Sequence, residues 1–123
     1  MSNTEPSVFT RIIAREIPAD IVFESDTVIA IKDIAPKAPV HLLVIPKTQQ
    51  YRTVGELAAG DPALLADMVG VAQSLADEHT DSEFRLVFNT GESAGQTVFH
   101  VHAHVLGASA SSGETLTEGS LAE

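Results

Sequence analysis

Val98-Phe99-His100-Val101-His102-Ala103-His104-Val105-Leu106 alternates imidazole and apolar side chains from His100 onward. Successive side chains of a strand point to opposite faces, so His100, His102 and His104 share one face. Phe99, Val101, Ala103 and Val105 make the other, an apolar surface suited to packing on a helix. The pattern predicts a strand over residues 98–106 that buries one side and displays three of the chain's five histidines on the other. An ordinary half-buried strand would carry Thr, Ser, Lys or Glu at those positions. The plain alternative is a set of scattered, structurally satisfied histidines.

The remaining elements follow outward from this strand. Thr90-Gly91-Glu92-Ser93-Ala94-Gly95-Gln96-Thr97 is a loop of small residues, and Phe84 to Asn89 before it reads as a fourth strand. Leu64, Leu65, Met68, Val69, Ala72, Leu75 and Ala76 form a helical stripe that Asp61 can cap and Pro62 can open. His79 at its end is a favourable C-terminal charge. Val40 to Ile45 is a third strand stopped by Pro46, and Ile21–Glu24 with Val28–Ile31 makes a hairpin. Phe9, Ile12 and Ile13, capped by Ser7, open the chain with a short helix. The order α-ββ-β-α-β-β predicts an α+β domain: a mostly antiparallel five-stranded sheet with one long and one short helix.

The 123 residues suit one domain, expected over 1–107 with residues 1–6 loose. Residues 108–123 are expected to be an acidic Ser/Gly/Ala/Glu-rich flexible tail. With 17 acidic against 7 basic residues the net charge is −10, which argues against charge-driven binding to nucleic acid or to an anionic membrane. Cysteine is absent, so disulfides, thiolate metal sites and Cys nucleophiles are excluded. No apolar run approaches ~20 residues and no signal-peptide pattern opens the chain, so a cytoplasmic location is expected.

Two chemistries remain open for the histidines. Neutral imidazole ligates zinc, but at ~3.3 Å rise per residue the outer two of the three lie about 13 Å apart on a straight strand. A pair of them with His41 or Glu92 is the metal arrangement left. The other chemistry is covalent, with the central imidazole as nucleophile toward phosphorus. The preceding loop favours it: Gly91 and Gly95 let backbone N–H groups approach an anion, and Gln96 and Thr97 add donors beside the first His.

His100-Val101-His102-Ala103-His104-Val105-Leu106 resembles the signature of the histidine triad (HIT) family, and the resemblance spans residues 8–107. Val8-Phe9 through Arg15-Glu16-Ile17-Pro18-Ala19 is similar to the opening of its Hint branch. Asp33-Ile34-Ala35-Pro36-Lys37-Ala38-Pro39-Val40-His41, Asn89-Thr90-Gly91 and Gly95-Gln96-Thr97 match further blocks. The resemblance implies a HIT-like fold whose sheet continues across a homodimer. It implies a nucleotide hydrolase or transferase acting at the α-phosphorus of a purine nucleoside 5′-phosphoramidate or related nucleotide. His102 would be the nucleophile that forms a nucleotidyl-histidine, flanked by His104 and His100, with His41 nearby and the Thr97 hydroxyl on the phosphate or leaving group.

Asp33 would hold the ribose, Asn89 the sugar or phosphate, and Gly95, Gln96, Thr97 and Val98 the phosphate side. Ile34, Phe9, Ile12, Ile17, Ile31 and Leu43 would surround the base, though each suits plain core as well. Relatives with structural zinc use Cys, so no metal and no cofactor are expected. The chain departs from the family in Thr97, where many relatives have Ser. It departs again in Thr48-Gln49-Gln50, where relatives often carry a His, and in lacking Trp. The alternatives are a dinucleoside polyphosphate hydrolase, a zinc-dependent hydrolase using His100, His102 and His41, and a non-catalytic nucleotide-binding regulatory module.

Overall fold

A computed structural model describes residues 5–109 and Leu116. The tail expected over 108–123 therefore lies almost wholly outside the described residues, as do residues 1–4. Three helices, α1 (Val8–Ile13), α2 (Val54–Gly60) and α3 (Pro62–His79), accompany five strands. These are β1 (Ile21–Glu24), β2 (Val28–Lys32), β3 (Val40–Pro46), β4 (Arg85–Val87) and β5 (Ala103–Gly107), with a 3-10 turn at Glu92–Ala94. Every neighbouring pair of the sheet is antiparallel, in the order β1-β2-β3-β5-β4.

The strand alternation sorts side chains onto two faces. Val28 and Ala30, Leu42 and Val44, and Ala103 and Val105 point to α3 and meet Leu64, Met68, Ala72, Leu75 and Ala76. Ile29, Ile31, Leu43 and Ile45 point the other way and are covered by Phe9 and Ile12 of α1. The long helix runs as its stripe predicts: the Asp61 side chain accepts from the Leu64 N–H and Pro62 occupies the first turn. Ser7 caps α1 by accepting from the Thr10 N–H, again as its position predicts. Arg15, just beyond α1, takes a left-handed φ of 65° and turns the chain toward β1. Among the described residues no helix is long and apolar enough to cross a membrane.

Two expectations are corrected. The chain has a second short helix, α2, beyond the one long and one short helix expected; Thr53 caps it by accepting from the Glu56 N–H, and the Glu56 carboxylate reaches back to the Arg52 N–H. The fifth strand is shorter than 98–106 because other acceptors displace its first ladder bonds. The Val101 N–H donates to the Tyr51 carbonyl and the His100 ring donates to the Pro46 carbonyl, so strand pairing begins only at Ala103 opposite Val44. The alternation of faces survives the loss of the ladder: Val101 enters the α3 core beside Ala103 and Val105. Phe99 does not join it and instead lies under the Arg52 guanidinium, 5.6 Å from its ring centre.

Candidate active site

The α1 face of the sheet carries the imidazoles. Ile31 pairs with Leu43 and Leu43 with His104, so this row leads from the apolar wall directly to the last histidine of the triad. His41 sits two pairs further along β3, opposite Leu106, diagonal to His104 and within ring reach of it. The Phe9 ring meets His102 edge-on at 4.9 Å and His100 at 5.7 Å, and His102 lies 5.1 Å from His104. All three triad rings thus gather beside α1, as the alternation predicts.

The hydrogen bonds fix which nitrogen of each ring carries the proton. A carbonyl can only accept, so His102 Nδ1–H donates to the His100 carbonyl at 2.8 Å. The other nitrogen, Nε2, is then the lone-pair atom of neutral His102. His100 Nε2–H donates to the Pro46 carbonyl at 2.7 Å, leaving Nδ1 to accept from the Ser7 hydroxyl at 2.7 Å. On β3, the Lys37 N–H donates to His41 Nδ1 at 2.9 Å, so neutral His41 is protonated at Nε2 and donates to His104 Nδ1 at 2.9 Å. His104 in turn holds its own proton at Nε2.

Burial pushes the pKa of both His102 and His100 down. For His102 desolvation outweighs the bond to the His100 carbonyl and the charge of Asp33, which act upward. For His100 desolvation outweighs the Pro46 bond, and neighbouring His102 adds to the lowering. Both rings are therefore held neutral at physiological pH, the protonation state a nucleophile needs.

A cavity of about 380 Å³ opens in front of these rings. Its floor is His102 and His104; one wall is Phe9, Ile12, Ile17, Ile31 and Leu43; Asp33, Ile34, Thr97 and Val98 complete it. Ile34 is 98% exposed, a large apolar side chain with nothing over it, and it stands at the mouth. Val8, Pro18, Ala19, Lys32 and Ala35 also line the cavity and were not singled out from sequence. They belong to the segments flanking Phe9, Ile17 and Asp33, and only chain proximity could have signalled them.

Three expected binding residues do not line it. The Gln96 amide is 2% exposed; its Nε2 donates to the Arg52 and Val98 carbonyls and its Oε1 accepts from the Gly91 N–H. Gln96 is thus the staple that closes the loop. The N–H groups of Ala94, Gly95 and Gln96 also donate within that loop, around Gly91 and Gly95 at φ 91° and 97°, which glycine alone adopts without strain. Asn89, half-buried just after β4, lies outside the cavity too, so Thr97 and Val98 are the part of this stretch that reaches it.

Asp33, His41 and His104 place ligand atoms within 4.8 Å of one another, the spacing of a three-ligand metal site. The Lys37 N–H opposes that use: it obliges His41 to turn a hydrogen, not a lone pair, toward the cluster. The set His100, His102 and His41 is no better, since both nitrogens of His100 and Nδ1 of His102 are already bonded. The arrangement is a hydrogen-bonded relay beside a neutral imidazole with one open nitrogen.

The family profile described as scavenger mRNA decapping enzyme C-term binding matches residues 6–118. The chain belongs to the histidine triad family. An uncharacterized HIT-like protein of Synechococcus elongatus is 47% identical over 105 residues, 85% of this chain and 91% of that protein. A purine nucleoside phosphoramidase of Escherichia coli K12 is 42% identical over 105 residues, 84% of this chain and 87% of the enzyme. A crystal structure of a HIT family hydrolase from Legionella pneumophila superposes with a TM-score of 0.81 at 40% identity, covering 93% of this chain and 98% of that one. The five-stranded antiparallel sheet with its three helices is the fold of these HIT hydrolases.

Proposed function

We propose that the protein hydrolyses purine nucleoside 5′-phosphoramidates or closely related nucleotides at the α-phosphorus, with His102 as nucleophile. The observation that carries this reading is the bond from His102 Nδ1–H to the His100 carbonyl, which leaves Nε2 as the lone-pair nitrogen of a ring lining the cavity. The base would lie against Phe9, Ile12, Ile17, Ile31, Ile34 and Leu43, the ribose on Asp33, and the phosphate between Thr97, Val98, His102 and His104. Attack by Nε2 forms a phosphorus–nitrogen bond to the ring while the substrate's phosphorus–nitrogen bond breaks and the amine leaves with a proton taken from water, which the later hydrolysis of the intermediate returns. The imidazole becomes cationic in that step, and the carbonyl already bound to Nδ1–H stabilises the charge. His104 Nε2–H supplies a donor to the phosphoryl oxygens, and water then releases the nucleoside monophosphate. The relative from Escherichia coli with phosphoramidase in its name supports the substrate class.

Replacing His102 with Asn should abolish turnover of adenosine 5′-phosphoramidate while adenosine monophosphate still binds, as calorimetry would show. Full activity in that variant removes the mechanism. Tight nucleotide binding with no turnover by the wild-type chain would favour the regulatory-module reading.

A further inference from the structure

The proton on His41 Nε2 has two acceptors within reach. His104 Nδ1 lies at 2.9 Å and the Asp33 Oδ2 at 3.3 Å. The carboxylate and the donor ring of His41 are both fixed in place. Asp33 Oδ1 accepts from the Ala35 N–H at 2.8 Å, which sets the carboxylate plane, and the Asp33 N–H donates to the His41 carbonyl at 3.0 Å. The His41 side chain is 1% exposed and its far nitrogen is held by the Lys37 N–H, so the ring can neither turn nor move its proton to Nδ1. A single hydrogen therefore faces a choice between a carboxylate at the cavity wall and the ring that lies beside the nucleophile.

We infer that Asp33 is a positioning residue for His104, acting through His41, so that occupancy of the sugar subsite is read out at the phosphate. The inference rests on the proposed nucleotide function. In the empty site the carboxylate draws the His41 hydrogen toward itself and weakens its bond to His104 Nδ1. A ribose diol donating two hydrogen bonds to Asp33 takes up that acceptor capacity. The His41 hydrogen then goes to His104 Nδ1, which holds His104 with its own proton on Nε2, aimed as a donor for the phosphoryl oxygens. No bond is made or broken; one hydrogen is redistributed between two acceptors. Ribose binding energy is in this way expressed in the chemical step as well as in affinity.

The test compares adenosine 5′-phosphoramidate with its 2′,3′-dideoxy analogue on the wild-type protein and on Asp33→Asn. In the wild type, loss of the hydroxyls should lower kcat by about tenfold in addition to raising KM, the size of an ordinary coupling between sites. In D33N the two substrates should share one kcat within about twofold, because the coupling acceptor is gone. A wild-type effect confined to KM would reduce Asp33 to a ribose holder and overturn the inference. Nitrogen NMR of histidine-labelled protein reads the same coupling without turnover. Adenosine monophosphate should shift the ring-nitrogen resonances of His41, which does not line the cavity and so is not touched by the phosphate, and the dideoxy nucleotide should not. Equal shifts from both nucleotides would overturn the inference. A wild-type protein that binds both nucleotides but turns over neither phosphoramidate removes the proposed function, and the NMR comparison then decides the coupling by itself.

Discussion

Ser7 joins two parts of the molecule through one oxygen. Its hydroxyl accepts from the Thr10 N–H to start α1 and donates to Nδ1 of fully buried His100. Its own N–H donates to Gln49 Oε1 at 2.6 Å, and the Thr10 hydroxyl donates to the same atom. Gln49 belongs to the Thr48-Gln49-Gln50 stretch, and its amide oxygen gathers two donors from the first turn of α1. Ser7→Ala removes a helix cap, worth about 1 kcal/mol, and leaves a buried ring nitrogen without its donor, worth about 1–3 kcal/mol. A loss of about 2 kcal/mol in urea unfolding is expected, and a loss below about 0.5 kcal/mol would show that the cap and the His100 bond are not coupled as described.

At the scale of elements, α1 and the approach to β5 are bound together by neutral imidazoles, and this gives stability a dependence on pH. Folding depresses the pKa of His100 and His102 below 6.5, chiefly by desolvation. The unfolded chain therefore takes up protons at a pH where the folded one does not. The contribution of these rings is complete above pH about 6.5 and is lost as the pH falls through their lowered values. Between pH 7.5 and 5.5, above the range of ordinary carboxylates, the melting temperature should fall; a flat or rising curve would show that other groups govern the window. The same elements show what could be read in advance. Ser7, Asp61 and Pro62 are terminal signals with a local mechanism, and the stripe from Leu64 to Ala76 and the runs of β1, β2 and β3 each have one period, so these elements were legible. Helix α2 was not, because of its residues only Leu57 is buried and two are glycines, which leaves no stripe to read. Its signal is the pair Thr53 and Glu56, a capping arrangement that needs no apolar periodicity. The alternation of the triad places three imidazoles on one face, but the bonds of the Gln96 amide to the Arg52 and Val98 carbonyls could not be read in advance, because an amide donor looks alike whether it faces a phosphate or a carbonyl. The tautomers of His41 and His102 depend on the Lys37 N–H and the His100 carbonyl, and no side-chain pattern records those.

At the scale of the whole molecule the sheet ends in β4, three residues paired on one side only, to β5. A sheet edge of this kind is a template for further pairing, and Val69 on α3 is an exposed apolar side chain. We propose that two copies join there, which predicts a light-scattering mass of twice 13.0 kDa, whereas a monomer at micromolar concentration would refute it. The two faces of the sheet also divide labour in an uneven way. The α3 side holds the larger core and carries no imidazole of the site, whereas the α1 side is a thin cover of six helical residues over the cavity. Ile34 is exposed and Ile17 and Val98 pack on the smaller α1-side cluster, so substitutions that reshape the wall there leave the α3 core intact and free to keep the fold while the cavity changes. The architecture is evolvable on one side and conservative on the other.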